Sequence, residues 1–272
     1  MDVNAIINGL ASKVPHSNNS YMGDDGLLHC SVCNAKVQTR ITILEKERVV
    51  PCVCDCVTKE REAYKERQRK EARERMRRGC FAETNMANWT FENDSRDNER
   101  LSNAMIRYAE QFDEFHREGR GLLLSGTVGT GKTYFAACIA NRLIDMGYGV
   151  LMTNFARLTN QIQGTFDGKQ EIIDDLNRYP LLILDDLGAE RKSEYMQEMV
   201  YSIIDARYRS GRPFIITTNL SLDEIKKPQD ISCARIYDRI LERCFPIEFT
   251  GASKRRQAVK ESYFETKAKL GL

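Results

Sequence analysis

From about residue 80 onward, short apolar runs alternate with segments whose apolar residues recur at helical spacing. Five of the runs have the length and the branched aliphatic content of buried strands. They cover residues 122–124, 149–153, 181–184, 214–218 and 246–249. Strands that alternate with helices in this way predict a parallel sheet with helices on both faces. We therefore predict an α/β domain over residues 80–272.

The segment before this domain has a different pattern. Residues 58–78 contain ten basic and five acidic side chains and lack the continuous apolar stripe of a core helix. Acid-before-base pairs four residues apart, such as Glu66 with Lys70, favour a helix, and Gly79 is a stop signal. We predict an exposed linker helix over residues 58–79. It is either simply solvated or placed against nucleic-acid phosphates or an acidic partner.

Residues 1–57 hold five of the nine cysteines and form the third predicted part of the chain. A C-x-x-C knuckle and a C-x-C-x-C knuckle flank residues 39–50, whose β-branched residues predict a hairpin. Two such knuckles are typical of a structural zinc site. The preferred Zn²⁺ ligands are Cys30, Cys33, Cys54 and Cys56, with Cys52 able to replace one of them and His29 as a sixth candidate. A core of fewer than sixty residues needs the folding free energy of such a site.

The net charge and the lengths of the apolar stretches limit which partners and which cellular location we expect for the protein. The net charge is only +2, so a surface for nucleic acid has to come from local clusters of basic residues. No signal peptide is recognised, and no stretch reaches the roughly 18 apolar residues of a membrane helix. We expect a soluble, cytoplasmic protein with no membrane partner.

The cysteines outside the cluster are predicted to be small buried hydrophobic residues: Cys80, Cys138, Cys233 and Cys244.

A glycine-rich loop of the pattern G-x-x-x-x-G-K-[ST] follows the first predicted strand. It comprises Gly126, Thr127, Val128, Gly129, Thr130, Gly131, Lys132 and Thr133. Its backbone N–H groups converge on phosphate oxygens at the start of a helix predicted from Tyr134. Lys132 is expected to reach the β- and γ-phosphates of ATP, and the Thr133 hydroxyl to ligate Mg²⁺. We include Tyr134 among the nucleotide-binding residues.

Two carboxylates follow the third predicted strand, where α/β sheets bind their ligands. Asp185 is predicted to hold Mg²⁺, directly or through water. Asp186 is predicted to polarise the water that attacks the γ-phosphate, although it is also a candidate cap for the following turn. Asn219 follows the fourth strand, where it either contacts the γ-phosphate or orients water, or else begins a turn with Ser221.

Four motifs after the phosphate loop carry a family resemblance. They are Leu-Leu-Ile-Leu-Asp-Asp-Leu-Gly-Ala-Glu over 181–190, Thr-Thr-Asn-Leu over 217–220, Arg-Ile-Tyr-Asp-Arg-Ile over 235–240 and Gly-Ala-Ser-Lys-Arg-Arg over 251–256. Together they resemble the AAA+ ATPases of the DnaC/DnaI replicative-helicase-loader family, with the IstB transposition helpers as close relatives. The resemblance covers about residues 80–260.

The resemblance implies roles that spacing alone does not assign. Asn219 takes the sensor-1 position, and Arg255 resembles the sensor-2 arginine that contacts the phosphates in cis. Arg239 looks like the arginine finger that reaches the ATP of a neighbouring subunit, which implies self-assembly into a ring or spiral. Arg235 competes for that role, and surface ion pairing is the alternative for both Arg239 and Arg255. Few residues follow Arg255, which implies a minimal lid.

The family also implies a function. The zinc module would grip a replicative hexameric DNA helicase, while the ATPase domain binds single-stranded DNA and hydrolyses ATP. An IstB-like transposition helper is an alternative that the cysteine module disfavours. A nucleotide-dependent adaptor that barely hydrolyses ATP is another, because Asp186 replaces the Glu of many AAA+ enzymes. A pure zinc-finger DNA-binding protein is disfavoured, since the cysteine module is only a fifth of the chain.

Overall fold

The structure, a computed structural model, describes residues 20–43, 45–81, 84–164, 168–188, 194–228 and 230–271. Residues 1–19 of the predicted zinc module, and Ala189 and Glu190 of the 181–190 motif, lie outside these ranges. The chain divides into two compact units, residues 1–72 and residues 73–272.

The first unit contains two antiparallel strand pairs. Strand β1 (Ser20–Met22) pairs with β2 (Leu28–Cys30), and β3 (Gln38–Ile43) pairs with β4 (Lys46–Pro51). The second pair confirms the hairpin predicted for residues 39–50. Leu27 and Val37 are the only buried residues of this unit, among those described, other than two cysteines. Hydrophobic burial alone therefore contributes little to the stability of these strands.

Helix α1 (Asp55–Cys80) contains the boundary between the two units and confirms the predicted helix. The residues from 58 to 71 are all exposed, as the lack of an apolar stripe predicts. Near its end the helix contacts α4 (Lys132–Asp145) through Arg77. The Arg77 guanidinium donates to Asn141 Oδ1 at 2.9 Å and to Asp145 Oδ1 at 2.7 Å. The last turn of α1 is therefore part of the second unit and is held to α4 within it.

The second unit is built from alternating helices and strands, with two short 3₁₀ turns (Thr84–Asn88 and Phe91–Asn93) before them. Its strands are β5 (Gly121–Gly126), β6 (Val150–Asn154), β7 (Leu181–Leu187), β8 (Phe214–Thr218) and β9 (Cys244–Phe249). Besides α4, its helices are α2 (Glu99–Glu110), α3 (Phe112–Glu118), α5 (Phe155–Gln163), α6 (Lys169–Leu176), α7 (Glu194–Ser210), α8 (Leu222–Lys226), α9 (Ile231–Arg243) and α10 (Lys254–Lys269). Each predicted strand is present.

The five strands form one parallel sheet in the order β6-β7-β8-β5-β9. Successive strand residues alternate between two cores, as the period of two requires. In β7, Leu181 and Ile183 pack with α2 and α4, whereas Leu182 and Leu184 pack with α5, α7 and α9. The predicted parallel sheet with helices on both faces is confirmed.

The single cysteines of this unit are mostly buried, as predicted. Cys80, Cys138 and Cys244 lie in the two cores. The prediction is wrong for Cys233, which is only half-buried because it lies near the start of α9, beside the exposed Ile231.

The helices of the second unit and α1 were also compared with the requirements of a membrane span. Among the described residues, no helix combines the length and the apolar composition needed to cross a membrane.

Candidate functional site

The loop between β5 and α4 has a backbone that only glycine adopts without strain at several positions. Gly129 has a φ of +84°, and a Cβ atom there would lie 2.0 Å from Ser253 Oγ. Gly131 has a φ of +101° and precedes the first residue of α4. The Thr130 hydroxyl donates to the Thr127 carbonyl at 2.8 Å and closes the turn. These contacts fix the loop at a helix N-terminus, where N–H groups and the helix dipole favour anions.

Lys132 lies within the curve of this loop. Its ammonium group donates to the Gly126 and Thr127 carbonyls at 2.8 and 2.9 Å, and to Asn219 Oδ1 at 2.9 Å. Burial lowers the pKa of Lys132, while the nearby carboxylates of Asp186 and Asp185 oppose that shift. The contact with Asn219, which follows β8, brings the end of that strand to the phosphate loop.

Thr133 and Asp185 are in direct contact. The Thr133 hydroxyl donates to Asp185 Oδ1 at 3.0 Å, and the Thr217 hydroxyl donates to the same oxygen at 2.5 Å. Burial raises the pKa of Asp185, and the two hydroxyl groups partly offset this by stabilising the carboxylate. A hydroxyl and a carboxylate at this spacing are the oxygen ligands that Mg²⁺ prefers. Thr217 is a site residue whose role the sequence did not indicate.

Asp186 has an unusual backbone conformation. Its φ is +58°, in the left-handed region, and the pairing of β7 with β8 shifts register between Leu184 and Leu187. The Asp186 N–H donates to the Thr217 hydroxyl at 2.9 Å, which holds this turn in place. Its side chain is exposed and lines the same cleft as Lys132 and Asn219. Strain of this kind in a non-glycine residue is concentrated at functional sites.

The segment that leads into α10 lies on the phosphate loop. The Lys254 N–H donates to the Gly129 carbonyl at 2.9 Å, and Arg255 lines the cleft together with Lys132. The Lys254 ammonium contacts Ser95 Oγ at 2.9 Å and Asp97 Oδ2 at 3.0 Å. The backbone contact between Lys254 and Gly129 therefore holds the start of α10, and with it Arg255, at the phosphate loop.

An aromatic wall forms another side of the cleft. Trp89 and Tyr134 both line it, and their ring centroids lie 5.8 Å apart. The Tyr134 hydroxyl donates to the Thr90 carbonyl at 2.8 Å, and Val128, on the loop, is 58% exposed. Phe91, two residues after Trp89, is buried in the core and does not line the cleft. The flat rings and the valine offer an apolar surface for a nucleobase.

Arg239 does not line this cleft. Its guanidinium donates to Asp205 Oδ1 at 2.7 Å and to the Tyr201 hydroxyl at 2.9 Å, and it lies 4.8 Å from the centroid of the Tyr201 ring. Arg235, one turn earlier on α9, is exposed beside an open groove that also includes Glu198. Neither arginine is among the residues that line the cleft.

Replacing Gly129 by alanine is expected to weaken nucleotide binding by about 10-fold or more, because the left-handed backbone alone costs about 1–2 kcal/mol. The added Cβ would also push Ser253, two residues before Arg255, away from the loop. Titration with a fluorescent ADP analogue measures the dissociation constant. Gly129→Ala combined with Ser253→Ala should recover part of the loss relative to Ser253→Ala alone. No recovery would show that the clash with Ser253 is unimportant.

The cysteine cluster of the first unit is a separate site. The sulfur atoms of Cys30, Cys33, Cys54 and Cys56 all lie within 4.8 Å of one another. Zn–S bonds of about 2.3 Å in a tetrahedron place sulfur atoms about 3.8 Å apart, so the set fits zinc. The N–H groups of Cys33 and Val32 lower the pKa of Cys30 to about 6.

The two competing ligands have other partners. The Cys52 thiol lies outside the cluster and donates to the Lys36 carbonyl at 3.3 Å. The two ring nitrogens of His29 contact Asp25 Oδ1 at 3.0 Å and the Asn34 carbonyl at 3.2 Å. The structure thus brings together the four cysteines preferred from the sequence.

Comparison with curated proteins gives relatives that are named replicative helicase loaders. The replicative helicase loader DnaC of Escherichia coli (strain K12) is 30% identical over 157 residues, which are 56% of this chain and 63% of that protein. The replicative helicase loader DnaI of Bacillus subtilis (strain 168) is 26% identical over 194 residues, which are 65% of this chain and 62% of that protein. The chain therefore spans less than two thirds of the length of these relatives.

The fold comparison gives the same group. The crystal structure of the DnaI matches with a TM-score of 0.54 and 29% identity, over 66% of this chain and 99% of that chain. The IstB-like ATP binding protein family matches residues 46–262, which include the phosphate loop, both aspartates, Asn219 and Arg255. On this match and on the geometry of the cleft, the chain belongs to the IstB-like ATP binding protein family.

Proposed function

We propose that this chain is an ATP-dependent loader that binds the replicative hexameric DNA helicase and helps to place it on single-stranded DNA, in the cytoplasm. One observation carries the proposal. The cleft is lined by Lys132, Asp186, Asn219 and Arg255, in a chain similar to proteins named replicative helicase loaders. Residues from the ends of several strands would contact the γ-phosphate, so its presence or loss would be felt by several elements of the domain. Such a site suits a protein that changes its contacts with a partner when its nucleotide changes.

The nucleotide chemistry follows from the positions of the side chains. The phosphate loop and Lys132 would bind the β- and γ-phosphates of ATP, with Trp89 and Tyr134 on the side of the base. Thr133 and Asp185 would hold Mg²⁺, which neutralises charge on the phosphates when bound. Asn219 would orient the attacking water beside Lys132, and Arg255 would contact the phosphates.

Asp186 would take the proton of the attacking water. The oxygen of that water forms a bond to the γ-phosphorus, and the bond from the γ-phosphorus to the bridging oxygen breaks to leave ADP. The exposed position of the carboxylate and its strained backbone support this role over that of a turn cap.

Replacing Asp186 by asparagine is expected to lower the multiple-turnover ATPase rate by about 10²–10⁴-fold, the usual range for a general base. The affinity for ATP should change much less, because Asp186 is not expected to hold the metal. Phosphate release and nucleotide titration measure the two quantities. Equal residual rates for wild type and Asp186→Asn would indicate that the site binds ATP without hydrolysing it, which is the adaptor alternative.

The first unit is proposed as the helicase-binding module, stabilised by Zn²⁺ on Cys30, Cys33, Cys54 and Cys56. The four thiols are close enough to share one ion, and the unit has little other core. As a compact unit of its own, it suits a module that holds a partner while the nucleotide site changes state.

Complex formation with the replicative helicase of the same organism tests the proposal. We expect mass photometry to detect a complex of the full chain with the hexamer, and Cys54→Ser to weaken it. Lys132→Ala is the control that separates nucleotide binding from the cysteine site, and each mixture is measured with and without ATP. Failure to form a complex in any nucleotide state would overturn the loader function. The test would then turn to transposases, the partners of the alternative function.

A further inference from the structure

Helix α10 exposes large side chains that the nucleotide site does not use. Every side chain of the helix within the described part of the chain is exposed. Tyr263 is 61% exposed and Phe264 is 58% exposed, and their ring centroids lie 5.7 Å apart. Two adjacent aromatic rings in water are costly to leave without a ligand, because their apolar area remains hydrated.

The charges of this segment are strongly biased. Residues 254–271 contain six basic and two acidic side chains, whereas the whole chain carries a net charge of only +2. This short segment is therefore more positive than the chain as a whole. A local cluster of this kind is the electrostatic signature of a surface for phosphate groups.

The helical period places cations and rings on one face. Arg256, Tyr263 and Lys267 are separated by seven and four residues, so they fall within about 40° of one another around the axis. Phe264 borders this face, while Glu265 lies about 160° from Tyr263, on the opposite side. The face that presents the rings is thus flanked by positive charge and kept clear of this carboxylate.

We propose that this face, formed by Arg256, Tyr263, Phe264 and Lys267, binds single-stranded nucleic acid. Bases stack on the two rings, and the two cations contact the backbone phosphates. A protein partner would need mainly apolar or acidic complementarity, whereas a single strand supplies both flat rings and phosphates. The inference rests on the proposed role in handling single-stranded DNA and names the surface that performs it.

The position of α10 links this surface to the nucleotide site. Ser253 caps the helix by accepting from the Arg256 N–H at 3.3 Å, and Arg255 lines the nucleotide cleft. Tyr263 lies eight residues after Arg255, about 12 Å further along the axis. One helix therefore carries both the phosphate-sensing arginine and the rings that stack on bases.

Fluorescence anisotropy with a labelled oligothymidylate tests the proposal on the full chain, in the presence of a non-hydrolysable ATP analogue. Tyr263→Ala is expected to raise the dissociation constant by about 5- to 150-fold, the loss typical of one base stack. Lys267→Gln should weaken binding and reduce the salt dependence by about one ion contact. Lys269→Gln is the matched control. It removes the same charge about 160° away on the same helix and should bind like the wild type.

Several results would overturn the inference. They are a wild-type chain that binds no oligothymidylate, a Tyr263→Ala chain that binds it normally, and equal losses in Lys267→Gln and Lys269→Gln. Helicase binding is measured on the same variants. A Tyr263→Ala chain that keeps the strand but loses the helicase would make the face a protein surface, and the loader function would stand. A chain that keeps the helicase but loses the strand supports both proposals.

Discussion

Removal of the proposed Zn²⁺ from the cysteine cluster is expected to unfold residues 20–57 while the second unit stays folded. The described core of the first unit is small, with Val37 and two cysteines packed together. A structural zinc site contributes about 10–16 kcal/mol of apparent folding free energy at neutral pH, which exceeds what so small a core provides. The two large cores of the second unit contain only residues from Cys80 onward and should not depend on the metal.

Cys54→Ser and Cys52→Ser form a matched pair for this prediction. Cys54 is buried within the cluster, whereas the Cys52 thiol points to the Lys36 carbonyl. Elemental analysis should find about one zinc ion per chain in wild type and in Cys52→Ser, and little in Cys54→Ser. Trypsin should then cleave Cys54→Ser rapidly within the β3–β4 hairpin, after Arg40 and Arg48.

The single tryptophan gives an internal control for the second unit. Trp89 lines the nucleotide cleft, so its emission should be the same in both cysteine variants and should respond equally to ATP. Full zinc occupancy in Cys54→Ser, or equal zinc loss in both variants, would contradict the proposed ligand set. A change in Trp89 emission on chelation would contradict the independence of the second unit.

The sequence predicted the strands well because the three central strands of the sheet, β7, β8 and β5, are buried on both faces over most of their length. Such strands are continuous apolar runs, and their boundaries follow from the turn residues around them. The positions of Thr133 and Asp185 were also predictable, since the ends of parallel strands share one edge of the sheet. The spacing of the knuckles also predicted which four cysteines lie together, although the spacing alone left Cys52 as a substitute for one of them.

The remaining features depend on contacts between distant segments. In the sequence Thr217 has the features of an ordinary β-strand residue. In the structure its hydroxyl donates to Asp185 Oδ1 and accepts from the Asp186 N–H. Arg207 reads as a surface residue of α7, yet it is fully buried and donates to four carbonyls. These are the carbonyls of Leu176, Tyr179, Pro180 and Pro213. The loops before β7 and β8 meet only in the folded chain, so no local pattern indicates that a cation joins them.

Replacing Arg239 by alanine is expected to lower the ATPase rate by about 10³-fold or more, the range in which arginine fingers act. The proposal behind this prediction is self-assembly, in which Arg239 of one subunit reaches the ATP of the next. Arg239→Lys should lose most of the rate as well, because an ammonium group keeps the ion pair with Asp205 but lacks the planar fork. A low ATPase rate in Arg239→Lys would therefore come from loss of the guanidinium group and not from loss of the ion pair with Asp205. The affinity for ATP should be nearly unchanged in both variants, because the phosphate loop of each subunit is intact.

Mixing two inactive variants distinguishes action in trans from a structural defect. Arg239→Ala keeps an intact nucleotide cleft, and Lys132→Ala keeps an intact finger but cannot bind the phosphates. In a mixed assembly the cleft of the first faces the finger of the second, so the ATPase rate should rise well above that of either variant alone. Arg235→Ala is the control, since Arg235 is exposed one turn away on α9 and is the competing candidate. If the ATPase rate recovers when Arg235→Ala, and not Arg239→Ala, is mixed with Lys132→Ala, then Arg235 is the arginine finger. No recovery at any mixing ratio would show that neither arginine acts across a subunit interface, and the ion pair with Asp205 would then be the whole role of Arg239.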